Sequence, residues 1–208
     1  MLSDKLTPEY AASIVPAKII ICPGVTEEEV RELLAKGLEV ARHVEPRMTR
    51  FDQAINDAHR AELWNLGLES YWFGAYDRLK LFSLRRVFAR IPDILSSKRL
   101  DIICHHVPGF SYGDADPGIW KINLGMGWVN DSGDREERVQ TFVHEAAHIA
   151  GRWVVDEDPW YGRDKAHTMA HIHRPRRRRM AMRSADNIGY YAIDIAEYGI
   201  MYQLPMTA

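Results

Sequence analysis

This chain has little that would staple or anchor it. Cys22 and Cys104 are the only cysteines among 208 residues, which excludes a dense disulfide framework and leaves at most one bridge. A cysteine-based zinc site is equally unsupported. No apolar stretch approaches the ~20 residues that a membrane-spanning helix needs, so membrane insertion is not expected. Residues 1 to 23 lack the basic segment and continuous hydrophobic run of a secretory signal peptide. Export by another route and retention in the cytoplasm both stay open. An excess of one charge is missing too. The formal net charge is −2, which gives the chain as a whole no electrostatic pull toward nucleic acid or an anionic membrane.

The exception is local. Arg174-Pro-Arg-Arg-Arg-Arg179 is a basic run that reads as a solvated loop, with contact to phosphates or an acidic partner as the competing reading. No nucleic-acid motif accompanies it, so nucleic acid is not expected as a partner.

The chain does contain His144-Glu-Ala-Ala-His148, an HExxH sequence set in an apolar run. Two histidines four apart on a helix are separated by about 40° around the axis, so both imidazoles point from one face toward a common place. Zinc accepts such a pair, and Glu145 is placed to take a proton from a water on the metal. The surrounding residues predict a core helix. Asp134 and Glu137 make a capping box, Val139, Phe142, Val143, Ala146, Ala147 and Ile149 supply buried faces, and Gly151 supplies a stop. Two histidines and a glutamate buried there without a metal would carry a polar desolvation cost of several kcal/mol.

Around this helix the pattern predicts an α+β, predominantly helical domain from residue 26 to 208, preceded by an extended arm over residues 1 to 25 that includes the strand-like Ile19-Ile20-Ile21. Helices are expected from Thr26 to about His43, from Thr49 to Leu63 and from Leu79 to about Ile91, with a last one from Ser184 to Tyr198. Leu100–His106 and Ile119–Leu124 read as strands joined by a Gly/Pro/Asp-rich connection, able to pair antiparallel.

A catalytic zinc needs a third protein ligand and an open position. Asp156, Glu157 and Asp158 follow the Gly151 turn closely enough to fold back on the metal. His167, His171 and His173 form a competing set, but they border the arginine run, whose charge disfavours a cation.

Several motifs, in order, resemble the aspzincin metallopeptidases, the deuterolysin and lysine-specific metalloendopeptidase family. They are Tyr71-Trp-Phe-Gly74, Trp120-Lys-Ile-Asn-Leu124, the HExxH itself, Asp158-Pro-Trp-Tyr-Gly162 and Ser184-Ala-Asp-Asn-Ile-Gly-Tyr-Tyr191. The resemblance runs from about residue 65 to 195. It implies a zincin-like fold with a small antiparallel sheet beside the HExxH helix, and one catalytic zinc held by His144, His148 and Asp158. It further implies Glu145 as general base and Tyr161 as a hydrogen-bond donor to the developing oxyanion. Asp186 matches the first of two carboxylates that receive a substrate lysine in part of the family, while Gly189 stands at the second position. Strict lysine specificity is therefore not implied, and Asp186 is equally suited to cap the last helix or to orient a zinc histidine. The sequence departs from the family at Val155 and Asp156, where Gly-Thr is usual, so Asp156 and Glu157 stay in contention as ligand or as acceptors behind the histidines.

The expected function is zinc-dependent hydrolysis of peptide bonds within a protein or peptide substrate. The alternatives are an amide or cell-wall peptide hydrolase delivered as an effector, and a non-catalytic module binding through the basic loop. A delivery or inhibitory partner is left open.

Overall fold

The Thr26 hydroxyl accepts a hydrogen bond from the Glu29 amide at 3.1 Å, and Glu27, Glu28 and Glu29 fill the first turn, where the helix dipole favours negative charge. From this cap α1 runs over Glu27–Thr49 in a computed structural model that describes residues 18–21, 23–104, 112–131, 133–172 and 179–198. The helix passes its expected end near His43 and carries Pro46 inside its last turn. Val44 and Met48 explain this, because both are buried and continue the apolar stripe of Val30, Leu34 and Leu38. Burial of such side chains, each worth about 1.5–3 kcal/mol, offsets the proline's missing donor. Arg47 adds a bidentate pair with Glu69 at 2.6 and 2.9 Å, and the Tyr191 hydroxyl donates to the same carboxylate at 2.8 Å.

Four short helices follow: α2 Asp57–Asn65, α3 Leu68–Phe73, α4 Arg78–Phe88 and α5 Ile91–Leu95. The expected start near Thr49 moves to Asp57 because Asn56 is the cap, accepting from the His59 amide at 2.9 Å. Pro92 follows the end of α4 closely. It sits in the first turn of α5, where a missing N–H costs nothing.

The sheet is mixed and four-stranded, in the order β1 (Lys18–Ile20), β2 (Asp101–Cys104), β4 (Lys121–Leu124), β3 (Gly113–Asp116). β2 and β4 pair in parallel, which corrects the expected antiparallel pairing, and β1 joins β2 in parallel. The connection read from composition as irregular supplies β3, which is antiparallel to β4. Its return turn is closed by Asp116 accepting from the Gly118 amide at 3.0 Å, with Trp120 at φ 54°. That reversal lets β4 run in the direction of β2.

After α6 (Met126–Asn130) comes α7, Arg135–Ala150, capped by Asp134 through the Glu137 amide at 2.9 Å. It lies at the centre of the molecule, packed on α1, α5 and α9 with β3 and β4 along its side. Further along come α8 (Arg163–His171), which was not anticipated, and α9 (Ala185–Tyr198). Cys104, at the end of β2, is disulfide-bonded, and the sequence holds one other cysteine, at position 22. No helix among the described residues is long and apolar enough to cross a membrane. Residues 1–17, Cys22, His173 and the arginines from 174 to 178 lie outside the described residues.

Candidate metal centre

α7 presents His144 and His148 on one face, and each imidazole has its Nδ1 engaged. His144 Nδ1 faces Asp186 Oδ1 at 2.7 Å, and His148 Nδ1 faces the Val154 carbonyl at 3.2 Å. These partners orient the rings so that the two Nε2 atoms converge, 3.2 Å apart. A carboxylate oxygen completes a triangle with them. Asp156 Oδ1 lies 3.0 Å from His144 Nε2 and 3.2 Å from His148 Nε2. Donors about 2.0–2.1 Å from a tetrahedral zinc stand about 3.3 Å from one another, so the three residues fit such an ion.

The placement of Asp156 follows from the backbone after α7. Gly151 allows a close turn, since a Cβ there would stand 3.2 Å from Val87 Cγ2 and 3.1 Å from Trp153 Nε1. The Val154 amide donates back to the Gly151 carbonyl at 2.8 Å. Val155 then pairs with the segment before α9, donating to the Arg183 carbonyl at 2.8 Å and accepting from the Ala185 amide at 3.2 Å. The next residue is carried under the imidazoles. Asp158 is two positions further on, exposed, and without a hydrogen bond or ion pair to either imidazole. The resemblance implies Asp158 as third ligand, whereas the carboxylate within 3.2 Å of both imidazoles is that of Asp156.

Glu145 is 3 % exposed, and its Oε1 is 3.9 Å from His144 Nε2. His144, Glu145 and His148 thus form a compact donor group of their own. Asp156 is nearer to both imidazoles than Glu145 is, which leaves Glu145 beside the triangle. Burial pushes the Glu145 carboxyl up to about 7 against the opposing pull of the two histidines. The strand β3 presses on it, because a Cβ at Gly113 would stand 2.6 Å from Glu145 Oε1 and 3.0 Å from Thr141 Cγ2. Burial works against a charge on Asp156, yet its hydrogen bonds with His144 and His148 hold it well below the usual carboxylate range. His144 likewise overcomes its burial. Glu145, Asp156 and Asp186 hold its pKa well above the ordinary value.

Asp186 is 8 % exposed and both its oxygens are occupied. Oδ1 faces His144 and the Gln140 amide, and Oδ2 accepts from the Gly162 N–H at 2.7 Å. A carboxylate so engaged is not open to a substrate side chain. Its contacts are those of the other role weighed from the sequence, a carboxylate set against a histidine of the HExxH helix. The same bond to Gly162, at φ 86°, fixes the turn that carries Tyr161. That phenol is 48 % exposed, and its pKa is raised by partial burial and by Asp156, Asp158, Asp186 and Glu145 around it. Arg163 holds the far side of the turn, donating to Asp194 at 2.6 Å and to Glu136.

Sequence reasoning did not find Gly113, Gln140 or Arg163, since nothing in local spacing links them to residues 144–148. His167 and His171 stand apart from the centre. His167 stacks on Tyr71 at 3.8 Å, and His171 Nε2 meets the Tyr71 carbonyl at 2.8 Å.

No protein-family model and no curated protein sequence matches the chain. Among solved structures it is similar to a zinc peptidase from Grifola frondosa, with a TM-score of 0.55 over 82 % of this chain and 97 % of that one. Identity is 16 %, so the likeness is one of fold.

Proposed function

We propose that this protein is a zinc-dependent peptidase of the aspzincin type, with His144, His148 and Asp156 as the metal ligands. The observation that carries this reading is the triangle of donor atoms, 3.0–3.2 Å on each side, with Glu145 buried beside it on the same helix. The fold shared with a zinc peptidase supports it. Zinc bound there would polarise a scissile carbonyl and acidify water at its open position.

The chain's own residues do the rest. Glu145, raised to about 7 by burial, exchanges a proton readily near neutrality, so it takes one from the attacking water and delivers it to the leaving amine. Tyr161 keeps its phenolic proton, because its pKa is raised, and donates to the carbonyl oxygen as charge develops there. Asp186 and the Val154 carbonyl hold the two imidazoles in the tautomer that leaves Nε2 free. An extended peptide is received along β3. Its outer side is the sheet edge nearest Glu145, whereas β4 is interior to the sheet. The disulfide at Cys104 supports action in an oxidising compartment.

The test is zinc content and cleavage of an unfolded protein by wild type and by Glu145→Gln. One zinc per chain is expected in both. Cleavage should fall by about 10²–10⁴-fold in the variant, the usual contribution of a general base. Stoichiometric zinc without Glu145-dependent cleavage would refute the peptidase reading while leaving the metal centre intact.

A further inference from the structure

Beside the donor triangle, on its His148 side, lies a cavity of about 340 Å³. Asp114 and Ala115 of β3 line it with Pro117 of the following turn, His148 and Asp156 of the centre, and Arg152. Most of the charged groups in this wall already have partners. His148 and Asp156 face each other at 3.2 Å, and Asp114 accepts from the Asn123 amide at 3.3 Å. Arg152 differs. It is exposed, and its guanidinium makes no hydrogen bond or ion pair among the described residues.

The backbone that carries Arg152 is held as firmly as the one that carries Asp156. Both belong to the segment that leaves Gly151. The Val154 amide closes that turn at 2.8 Å, and the Trp153 carbonyl accepts from Arg183 Nε at 3.1 Å. Arg152 is thus a cation fixed by its Cα next to the metal centre, at the wall of a cavity open to a peptide on β3.

We propose that Arg152 is a specificity-determining residue that receives the carboxylate of an Asp or Glu side chain in the peptide substrate. The inference rests on the peptidase reading above. The planar guanidinium matches a carboxylate with two parallel N–H donors, a geometry that a lysine or a neutral side chain in the substrate cannot use. Asp114 is the competing charge, but it already has an internal donor, and its field acts on Glu145. Among the charged groups of this wall, Arg152 is the one without a hydrogen-bonded partner among the described residues, and a substrate carboxylate would supply it.

The experiment uses internally quenched peptides that differ only in carrying Glu, Gln or Lys at each position around one scissile bond. Wild type, Arg152→Gln and Arg152→Glu are compared by kcat/KM, and the same peptides are titrated against Glu145→Gln with and without Arg152→Glu. At one position wild type should prefer Glu over Lys by about tenfold or more, the scale of one charged hydrogen-bonded pair. Arg152→Gln should level that preference and Arg152→Glu should invert it, with Kd following the same order. Cleavage with no charge preference, with a preference for Lys, or with a Glu preference that the Arg152 variants leave unchanged overturns the inference and spares the peptidase reading. Binding that prefers Glu and inverts with Arg152→Glu, without cleavage of any peptide by wild type, sustains carboxylate recognition and refutes the peptidase reading.

Discussion

Replacing Asp156 by alanine deletes one of three donors from a triangle whose sides are 3.0–3.2 Å, while Asp158→Ala removes an exposed carboxylate that touches neither imidazole. Structural zinc sites of four donors bind with about 10–16 kcal/mol, or roughly 2.5–4 kcal/mol for each donor. Losing one should weaken zinc binding by about 10²–10³-fold. Asp158→Ala should stay within about threefold of wild type, as surface substitutions away from any contact do. Two assays report this difference. Competition with a chelator of known affinity gives Kd directly. Thermal unfolding gives it by linkage, because zinc at a hundred times the wild-type Kd stabilises by about 2.7 kcal/mol, roughly 5–10 °C for a chain of this size. That shift should persist in Asp158→Ala and nearly vanish in Asp156→Ala. The opposite pattern, zinc lost with Asp158 and kept without Asp156, would refute the assignment and restore the family's spacing.

Three further outcomes are expected. Asp186→Asn should lower zinc affinity by about 10–100-fold, the usual effect of removing a histidine's orienting partner. If instead only the KM for lysine-bearing peptides rose, Asp186 would belong to the substrate pocket after all. Gly113→Ala should leave zinc content intact but reduce kcat by roughly ten- to a hundredfold, because the new methyl would displace the Glu145 carboxylate from its place. Unchanged turnover would show that the contact between β3 and Glu145 is slack. In metal-free protein Glu145 holds its proton up to about 7, so its contribution to stability is full below the unfolded value of 4.5 and is lost as the pH rises through about 7. The loss amounts to about 3 kcal/mol. Asp156 and Asp186 have the opposite sign: their contributions hold above the ordinary carboxylate range and fade only at acid pH below about 4. Urea unfolding of chelator-treated wild type and Glu145→Gln between pH 4.5 and 7.5 isolates the first window, and equal slopes in the two proteins would contradict the burial of that carboxyl.

Much of the centre was legible from residue order because its chemistry is local. The cap at Asp134, the apolar stripe of α7 and the spacing of His144, Glu145 and His148 all lie within 18 residues, and helical periodicity alone puts them on one face. The start of α1 at Thr26 and the last helix were readable for the same reason, being set by caps and spacing within a turn or two. Where sequence reasoning missed, distant backbone made the choice. Three consecutive acids, Asp156 to Asp158, are equivalent in sequence. Only the pairing of Val155 with Arg183 and Ala185 selects the one that faces the imidazoles.

The other decisions made by tertiary structure are of the same kind. Parallel pairing of β2 with β4 depends on the reversal through β3, which composition marks only as a loop. The role of Asp186 turns on a histidine 42 positions away and an amide 24 positions away, which between them occupy both of its oxygens. Sequence by itself marked His144, Glu145 and His148 as candidate ligands and base, since their shared face is a property of helical spacing. Only the fold decided which carboxylate lies against both imidazoles, which strand is the open edge, and that Arg152 stands beside them without a partner among the described residues, because hydrogen bonds and burial act between segments that sequence separation does not bring together.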